Sequence, residues 1–372
     1  MNGNRTMALL FLLLIFGVAV MAAYTPDRAF SQRENRSLAQ LPPLSWKSLF
    51  SGQFMQRFEQ YVDDQFPGRD HWVFLKTDLE RLFGKRENNG IYFGADQFLL
   101  ARYRSDASWL SRNAAAVGDF ARHIGVPVSL LLPPTATAIY PEKLPQKAPS
   151  DDQQADWQQV VEQLGPEVHP IDVLAALLVV KDESIYFRTD HHWTMRGAYY
   201  AYAAWMHSRG EVPLSLEDLN SQIVSQEFWG THYSKANLRQ ISPDQIELLA
   251  PSTGAAVSVN YPGEGLTTDS LYRSEFLQGR DQYAYFLGGN YPLVQISTDS
   301  ASDRRILLIK DSYAHVFVPF LIPHYQEIHV MDLRYYAASA EQYVKQHGID
   351  EVLFLYSLQQ FADNAGLAKL VD

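Results

Sequence analysis

The 372-residue chain contains no cysteine, which excludes disulfide bonds and thiolate metal sites but constrains the cellular compartment only weakly. Positive charge is also scarce. There are 31 lysine and arginine residues against 42 aspartate and glutamate residues, so the formal net charge is −11. A nucleic-acid partner normally requires a clustered basic face, and this balance argues against one. Hydrophobic residues make up 47% of the chain, which is enough to form the core of one large or two modest domains.

The N-terminus carries an unbroken apolar run from Met7 to Tyr24, and Arg5 is the single charge before it. The run is longer than the ~7–15 residues of a signal-peptide core and close to the ~17 residues that cross a bilayer. We therefore interpret residues 1–24 as a signal anchor, with a signal peptide cleaved near Val20-Met21-Ala22 as the alternative. Both interpretations place the rest of the chain outside the cytoplasm, either anchored to the membrane or secreted.

Residues 25–50 have no regular hydrophobic pattern and contain three prolines, which predicts a stalk or linker. From Ser51 onward, apolar residues recur at helical spacing and predict two amphipathic helices followed by a short hairpin. The apolar positions are Phe54, Phe58, Tyr61, Val62 and Phe66 in the first helix, and Trp72, Leu75, Leu79 and Leu82 in the second. The globular domain is therefore predicted to span residues 51–372.

Strand-like and helix-like segments alternate through most of this domain. The predicted helices cover residues 108–124, 151–164, 194–208, 313–322 and 339–347, and the predicted strands cover 126–132, 168–173, 283–287, 305–309, 327–332 and 351–356. This alternation predicts an α/β fold with a doubly wound parallel sheet flanked by helices. Residues 211–280 interrupt the alternation with polar residues and short β-like pieces, and we interpret them as an inserted cap.

Ser312 follows the predicted strand 305–309 and begins a predicted helix. In open α/β sheets, ligands bind at the carboxyl ends of strands, and a helix N-terminus offers N–H groups that stabilise an oxyanion. Ser312 is therefore a candidate nucleophile. The alternative is an ordinary helix cap, because serine and aspartate are common at that position.

The segment Asp190-His191-His192 offers a candidate acid and base just before another predicted helix. In an extended segment, residues i and i+2 point the same way, which favours Asp190 and His192 as the working pair. A solvated loop, a core histidine and a metal site extended by Asp311 or His315 are the alternatives. The chain has no HExxH motif, and we predict neither a metal nor a cofactor.

Four further residues are candidates for oxyanion or substrate binding. Gly289 and Asn290 lie in a glycine-flanked segment that can present amide donors to an oxyanion, although the same pattern is typical of a turn. Trp193 follows the histidines and fits either a core position or the site. Tyr313 directly follows the candidate nucleophile.

Several short segments occur in the same order as in a known family. They are Glu34-Asn35-Arg36, Asp64-Gln65-Phe66-Pro67-Gly68-Arg69-Asp70, Asn89-Gly90-Ile91-Tyr92, Thr189-Asp190-His191-His192-Trp193-Thr194, Phe286-Leu287-Gly288-Gly289-Asn290 and Lys310-Asp311-Ser312-Tyr313. Over most of its length the chain thus resembles the DHHW proteins, relatives of the SGNH-hydrolase-like alginate O-acetylation proteins of bacterial envelopes. The resemblance implies an SGNH-hydrolase-like fold and export across the membrane.

The relatives carry a Ser-His-Asp triad, and the resemblance implies Asp190 as the orienting acid, His192 as the general base and Ser312 as the nucleophile. It also implies acyl transfer to or from the hydroxyls of an extracellular polysaccharide, with a membrane-bound O-acyltransferase partner as the acetyl donor. The chain departs from the pattern in two places. Lys310 stands where a glycine usually precedes Asp-Ser, and the acid and base are spaced D-x-H where SGNH hydrolases have D-x-x-H.

These features predict an extracytoplasmic O-acetyltransferase or acetylesterase that acts on a cell-envelope glycan through an acyl-serine intermediate. The alternative to an enzyme is a non-catalytic glycan-binding or assembly protein that retains the fold. In that protein, the aromatic residues and the insertion at 211–280 would bind the glycan. A metal-dependent hydrolase is the third interpretation.

Overall fold

The computed structural model describes residues 3–252, 254–363 and 365–370. The first two residues of the predicted anchor, and residues 253, 364, 371 and 372 of the predicted domain, lie outside this description. The chain divides into two compact units, Met1–Asn88 with Asn237–Ile241 and Asn89–Ala236 with Ser242–Asp372.

The first unit consists of one long apolar helix followed by short strands and helices. Its elements are α1 (Gly3–Tyr24), β1 (Phe30–Ser31), β2 (Arg36–Ser37), α2 (Trp46–Phe50), α3 (Gln53–Gln65), α4 (Arg69–Leu82) and β3 (Glu87–Asn88). Helix α1 is long and apolar enough to cross a bilayer, with a mean hydropathy of 2.6 over Arg5–Tyr24. This is consistent with a signal anchor and equally with a signal peptide.

Ion pairs connect the segment after α1 to the turn between α3 and α4. Arg36 contacts Asp64 at 2.5 Å, and Arg69 contacts Glu34 at 2.8 Å. Arg36 also contacts Glu34 at 2.7 Å. The charged residues of the first two family segments therefore link the segment after α1 to α3 and α4. The role of residues 25–50 as a stalk stays a prediction.

The second unit contains the central sheet and the helices around it. Its helices are α5 (Ala107–Ile124), α6 (Ala136–Ile139), α7 (Gln153–Gln163), α8 (Leu174–Val179), α9 (Met195–Ser208), α10 (Thr231–Ala236), α11 (Ala340–His347) and α12 (Leu358–Phe361). Its strands are β4 (Ile91–Phe93), β5 (Leu99–Ala101), β6 (Val128–Leu131), β7 (Val168–Ile171), β8 (Leu219–Phe228), β9 (Asp244–Pro251), β10 (Val257–Tyr261), β11 (Leu266–Thr268), β12 (Leu293–Thr298), β13 (Arg305–Lys310), β14 (Glu327–Met331) and β15 (Glu351–Leu355).

The main sheet has the strand order β11-β10-β12-β14-β13-β15-β6-β7. The strands from β14 to β7 are parallel, which confirms the predicted α/β fold. The three strands at the other edge are antiparallel and were not predicted. Two of them, β10 and β11, come from residues 211–280, so part of the predicted cap extends the sheet; β8 and β9 form a separate antiparallel pair.

The core lies on both faces of the sheet because alternate residues of each central strand point to opposite sides. In β13, Ile306 and Leu308 join one hydrophobic cluster, whereas Leu307 and Ile309 join the other. All four side chains are fully buried. This packing fixes β13 and therefore the position of Ser312, which follows its end.

Two local predictions near the site are wrong. Residues 313–322 form 3₁₀ turns, Ser312–Val316 and Val318–His324, rather than one α-helix. Pro319 and Pro323 lie in the second turn and lack the N–H that an α-helix requires. The predicted strand 283–287 is instead a 3₁₀ turn, Gln282–Tyr285, followed by a loop. A long helix dipole behind Ser312 is therefore not part of the site.

Candidate active site

The histidine segment is a run of bends with an anchor on either side. Tyr186 and Trp193 form an isolated antiparallel bridge. Thr194 then begins helix α9, with its hydroxyl accepting a hydrogen bond from the Gly197 N–H at 3.2 Å. Asp190 Oδ1 accepts from the His192 backbone N–H at 3.0 Å. This local turn, rather than the extended segment that the i, i+2 argument assumes, brings the two side chains together. His192 Nδ1 lies 2.5 Å from Asp190 Oδ1.

The other ring nitrogen of His192 contacts Ser312. The distance from His192 Nε2 to Ser312 Oγ is 2.7 Å, across 120 residues of sequence. Ser312 lies two residues beyond the end of β13, at the carboxyl edge of the parallel strands, where ligands bind in open α/β sheets. The structure therefore brings Asp190, His192 and Ser312 into one hydrogen-bonded row.

The second carboxylate oxygen of Asp190 is also occupied. Asp190 Oδ2 accepts hydrogen bonds from the Thr231 backbone N–H at 2.7 Å and from the Thr231 hydroxyl at 3.0 Å. Gly230 permits this approach, because a Cβ at that position would lie 2.2 Å from the Cβ of Asp190. Residues 230 and 231 belong to the predicted cap, so part of that region holds the Asp190 carboxylate in place.

The charge states of the pair follow from their burial. Burial lowers the pKa of His192 to about 4; His191 adds to the lowering, and Asp190 opposes it. Burial alone would raise the pKa of Asp190, but His191 and His192 outweigh this effect and hold it well below its usual range. At neutral pH the ionised carboxylate can only accept, so Nδ1 carries the imidazole proton and Nε2 is free to accept one from Ser312.

Tyr283, which the sequence did not single out, and Asp311, which it suggested only as a metal ligand, support the row. Tyr283 stacks on His192, with ring centroids 3.7 Å apart, and its hydroxyl donates to the Ser312 carbonyl at 3.2 Å. Asp311 is buried and accepts from the Ser357 hydroxyl and the Tyr313 N–H, both at 2.8 Å. Asp311 thus fastens the serine turn to the loop after β15. The sequence offered one signal for Asp311, which is its position next to Ser312. It offered none for Tyr283, which lay in a segment predicted as a strand.

The four residues predicted for oxyanion or substrate binding occupy different positions. Trp193 is fully buried, and its indole N–H donates to the Tyr313 carbonyl at 2.9 Å, so it acts as a core residue that positions the serine turn. Tyr313 is also buried; its hydroxyl donates to the His191 carbonyl, and its edge reaches the cavity described below. Gly289 and Asn290 lie in a turn in which Leu287, Gly288 and Gly289 have positive φ.

Asn290 connects this turn to a charged cluster. Its side-chain oxygen accepts from Lys310 Nζ at 3.2 Å and from Arg334 Nη2 at 3.3 Å. Lys310 is itself buried and contacts Asp332 at 3.3 Å and His315 Nε2 at 2.8 Å. Burial lowers the pKa of Lys310 to about 8, with Asp332 opposing the shift. The residue that replaces the usual glycine therefore links the end of β13 to the Asn290 turn and to the residue after β14.

Ser312 faces a cavity of about 170 Å³. The cavity is lined by Ala101, Thr135, Ala136, Thr137, His191, His232, Asp311, Ser312, Tyr313, Arg334, Ser357, Gln359 and Gln360. Arg334 is fixed there by a bidentate pair with Asp332, at 2.9 Å and 2.6 Å. The lining combines polar and small side chains with the Asp311 carboxyl group and one positively charged group, Arg334.

Asp190, His191 and His192 have ligand atoms within 4.8 Å of one another, which is close enough for the metal site that the sequence left as an alternative. Both ring nitrogens of His192 are already hydrogen-bonded, to Asp190 and to Ser312. A metal ion bound through either nitrogen would have to replace one of these contacts. The donor arrangement therefore fits acid–base chemistry better than metal coordination.

Comparison with known proteins agrees with this fold. Residues 150–331 match the family model for the DHHW protein. The chain is 25% identical over 205 residues to the probable alginate O-acetylase AlgJ of Pseudomonas syringae pv. tomato, a match that covers 52% of this chain and 50% of that protein. The chain thus spans about half the length of the curated relative it matches.

Solved structures show the same architecture. A DHHW family protein from Eubacterium siraeum is 27% identical, with a TM-score of 0.66, and the match covers 76% of this chain and 96% of that one. Bacillus cereus PatB1 is 22% identical with a TM-score of 0.63, covering 74% of this chain and 98% of its own, and shows similarity of fold. In its match over residues 150–331 and in these relatives, the chain is similar to the DHHW protein family.

Proposed function

We propose that this protein is an extracytoplasmic polysaccharide O-acetyltransferase that works through an acetyl-serine intermediate on Ser312. The observation that carries the proposal is the continuous row from Asp190 through His192 to Ser312, at 2.5 Å and 2.7 Å. Neighbouring acid, base and nucleophile in this order are the requirement for covalent acyl transfer. The relative named as a probable alginate O-acetylase supports the same type of reaction.

In the proposed reaction, the Ser312 hydroxyl attacks the carbonyl carbon of an acetyl donor while His192 Nε2 takes its proton. The tetrahedral intermediate collapses, the donor's leaving group takes that proton from His192, and the acetyl group stays on Ser312. A sugar hydroxyl then attacks the acetyl-serine, with His192 again accepting the proton and returning it to Ser312. If water takes the place of the sugar, the same steps give acetylesterase activity.

The donors that stabilise the oxyanion are proposed to come from the Gly289-Asn290 turn. Neither residue of this turn lines the cavity at Ser312, but Lys310 and Arg334 both donate to the Asn290 side-chain oxygen, so the amide NH₂ group is the side chain's remaining donor group. The acetyl donor is proposed to be a membrane-bound O-acyltransferase. The membrane-crossing length of α1 would keep the two proteins at the same membrane.

The test is hydrolysis of an aryl acetate by the full chain in detergent. Ser312→Ala and His192→Ala should each lower kcat/KM by at least ~10³, the scale of losing a triad member. Matched controls are Ser150→Ala in an exposed loop and His207→Ala at the exposed end of α9, which should stay near wild type. Full activity in either site variant would contradict the proposal.

A second readout does not depend on finding the natural donor. One solved structure of Bacillus cereus PatB1 carries a sulfonyl adduct. A sulfonyl fluoride should likewise modify this chain, and peptide mass spectrometry should place the adduct on Ser312. Modification elsewhere, or undiminished modification of Ser312→Ala, would favour the rival non-catalytic glycan-binding protein.

A further inference from the structure

Large apolar side chains are exposed on three consecutive helices of the first unit. We name them the juxtamembrane apolar set: Trp46 and Phe50 on α2, Met55 and Val62 on α3 with Phe66 at its C-terminal cap, and Trp72, Leu75, Leu79 and Leu82 on α4. Phe50 is 83% exposed and Leu82 is 79% exposed. Scattered single apolar residues are normal on a soluble surface, but a concentration of this kind marks an interaction site.

The set is arranged as helix faces rather than at random. On α4 its members follow the spacing i, i+3, i+7 and i+10, and on α3 they lie at i, i+7 and i+11. The rings of Phe66 and Trp72 contact each other edge to face, with centroids 6.5 Å apart. The apolar faces of α3 and α4 are therefore continuous across the turn that joins them. The sequence predicts these amphipathic helices, but not that the apolar side of α4 is exposed. On α3, Val62 is exposed, whereas Phe54, Phe58 and Tyr61 are half-buried.

The chain immediately after α1 is fastened to the same two helices. Asp27 accepts a hydrogen bond from the Tyr61 hydroxyl at 3.1 Å, and the Arg28 backbone N–H donates to Gln65 Oε1 at 2.9 Å. The Arg28 guanidinium also pairs with Asp70 at 3.0 Å. These contacts begin three residues after Tyr24, the last residue of α1.

This spacing fixes how far the helices can stand from a bilayer that α1 crosses. Four extended residues span at most about 14 Å, and the headgroup region on each side of the hydrocarbon core is about 5–8 Å thick. The α3–α4 turn thus lies within or just above the headgroups. Amphipathic helices with exposed Trp, Phe and Leu side chains are the elements that lie in this interface.

We infer that the juxtamembrane apolar set is a lipid-binding surface, which rests α3 and α4 on the outer face of the membrane that α1 crosses. Its occupant is the headgroup–acyl boundary of the bilayer. The inference is independent of the proposed function, because it depends on the first unit alone. It gives the segment after the anchor a role in fixing the position of the chain at the membrane surface.

The absence of cysteine allows single-cysteine labelling without removing native thiols. The full chain is reconstituted through α1 into phosphatidylcholine vesicles, with or without bromine on the acyl chains, and carries an environment-sensitive fluorophore at one position. Val62→Cys and Leu79→Cys probe the apolar faces. Gln60→Cys on α3 and Arg81→Cys on α4 are exposed controls that point away from those faces.

Brominated lipid should quench the labels at 62 and 79 at least about twofold more than those at 60 and 81, and aqueous iodide should show the reverse order. Equal quenching by iodide at all four positions would place the face in water and overturn the inference. Labels at 62 and 79 that are shielded from both quenchers would instead show a protein partner or a second copy on this surface. Met55→Cys and Leu75→Cys repeat the measurement if either first variant folds poorly.

Discussion

The rings of His192 and Tyr283 lie face to face, with centroids 3.7 Å apart and planes inclined by 9°. The Tyr283 hydroxyl also donates to the Ser312 carbonyl. One side chain therefore restrains both the proposed base and the backbone of the proposed nucleophile. Such a ring fixes the imidazole plane and covers it from water, and both effects favour proton transfer along the row.

Replacing Tyr283 should separate these two contacts. Tyr283→Phe keeps the stacked ring, and we expect kcat/KM for an aryl acetate close to that of the wild type. Tyr283→Leu removes the ring stacking, worth about 1 kcal/mol, and also lets the His192 ring move. Together these effects should lower kcat/KM about tenfold.

Tyr285→Leu is the matched control for that series. Tyr285 is also buried and stacks on a tyrosine, Tyr272, with centroids 5.4 Å apart, but it does not contact His192. Its loss should reduce stability and leave kcat/KM of the folded fraction unchanged. An equal fall in kcat/KM for Tyr285→Leu and Tyr283→Leu would contradict a specific role for the ring on His192.

Asp190→Asn should reduce activity without disturbing the fold around it. The amide keeps the shape of the carboxylate, but it removes the charge that balances a protonated imidazole and offers an N–H where Nδ1 needs an acceptor. We expect kcat/KM to fall by about 10³–10⁴ while KM changes little. Asp299→Asn, at an exposed loop position, is the control. A loss below tenfold would show that Asp190 is a structural residue only.

Gly230→Ala tests whether the acid is held by close backbone packing. The new Cβ would lie 2.2 Å from the Asp190 Cβ and 2.6 Å from Asp190 Oδ2, so the carboxylate must move. Overpacking of this kind typically costs about 1–3 kcal/mol, and the displaced acid should lower kcat/KM together with the free energy of unfolding.

Gly263→Ala is the matched change for Gly230→Ala. Nothing lies within 4 Å of a Cβ built at Gly263, whose backbone φ is also compatible with alanine. Urea unfolding and kcat/KM of this variant should therefore match the wild type. If Gly230→Ala behaves in the same way, the backbone at 230 has more freedom than the packing around Asp190 indicates.

The parts of this protein that sequence reasoning predicted are those set by local pattern. The buried runs at 305–309 and 351–356 could only be central strands, and Thr194 begins α9 as its position suggests. The spacing of Asp190 and His192, together with the family segments, selected the pair that the structure brings to Ser312. The catalytic roles of these residues stay a prediction until the variants are measured.

The features that were missed depend on contacts between distant segments. Tyr283 reads as part of a β-like run, and only the tertiary structure places its ring on an imidazole 91 positions away. Trp193 fits both a core position and a site, and burial against the Tyr313 carbonyl decides between them. The apolar residues of α3 and α4 recur with the same period as those of core-facing helices. Periodicity identifies an apolar face but does not show what covers it, so the exposure of this face could not be predicted.

The pH dependence of the reaction follows from the low pKa of His192. Burial lowers that pKa to about 4, so the neutral imidazole that accepts the Ser312 proton persists well below pH 6. We expect kcat/KM to be nearly constant from pH 7 to pH 5 and to fall as the pH drops through about 4. An acid limb near the ordinary histidine value of about 6.5 would contradict the environment of His192.

His191→Gln provides the directional test of this pH profile. His191 contributes to the lowering of the His192 pKa, so its removal should raise that pKa and move the acid limb to higher pH. His207→Gln, exposed on α9, should leave the limb in place.

Between about pH 6.5 and 4 the unfolded chain binds a proton at His192 that the folded chain does not, so stability also decreases as the pH falls through this window. Intrinsic fluorescence at each pH therefore has to accompany the rates, because a limb that coincides with unfolding reports on stability, whereas one that precedes it reports on the base.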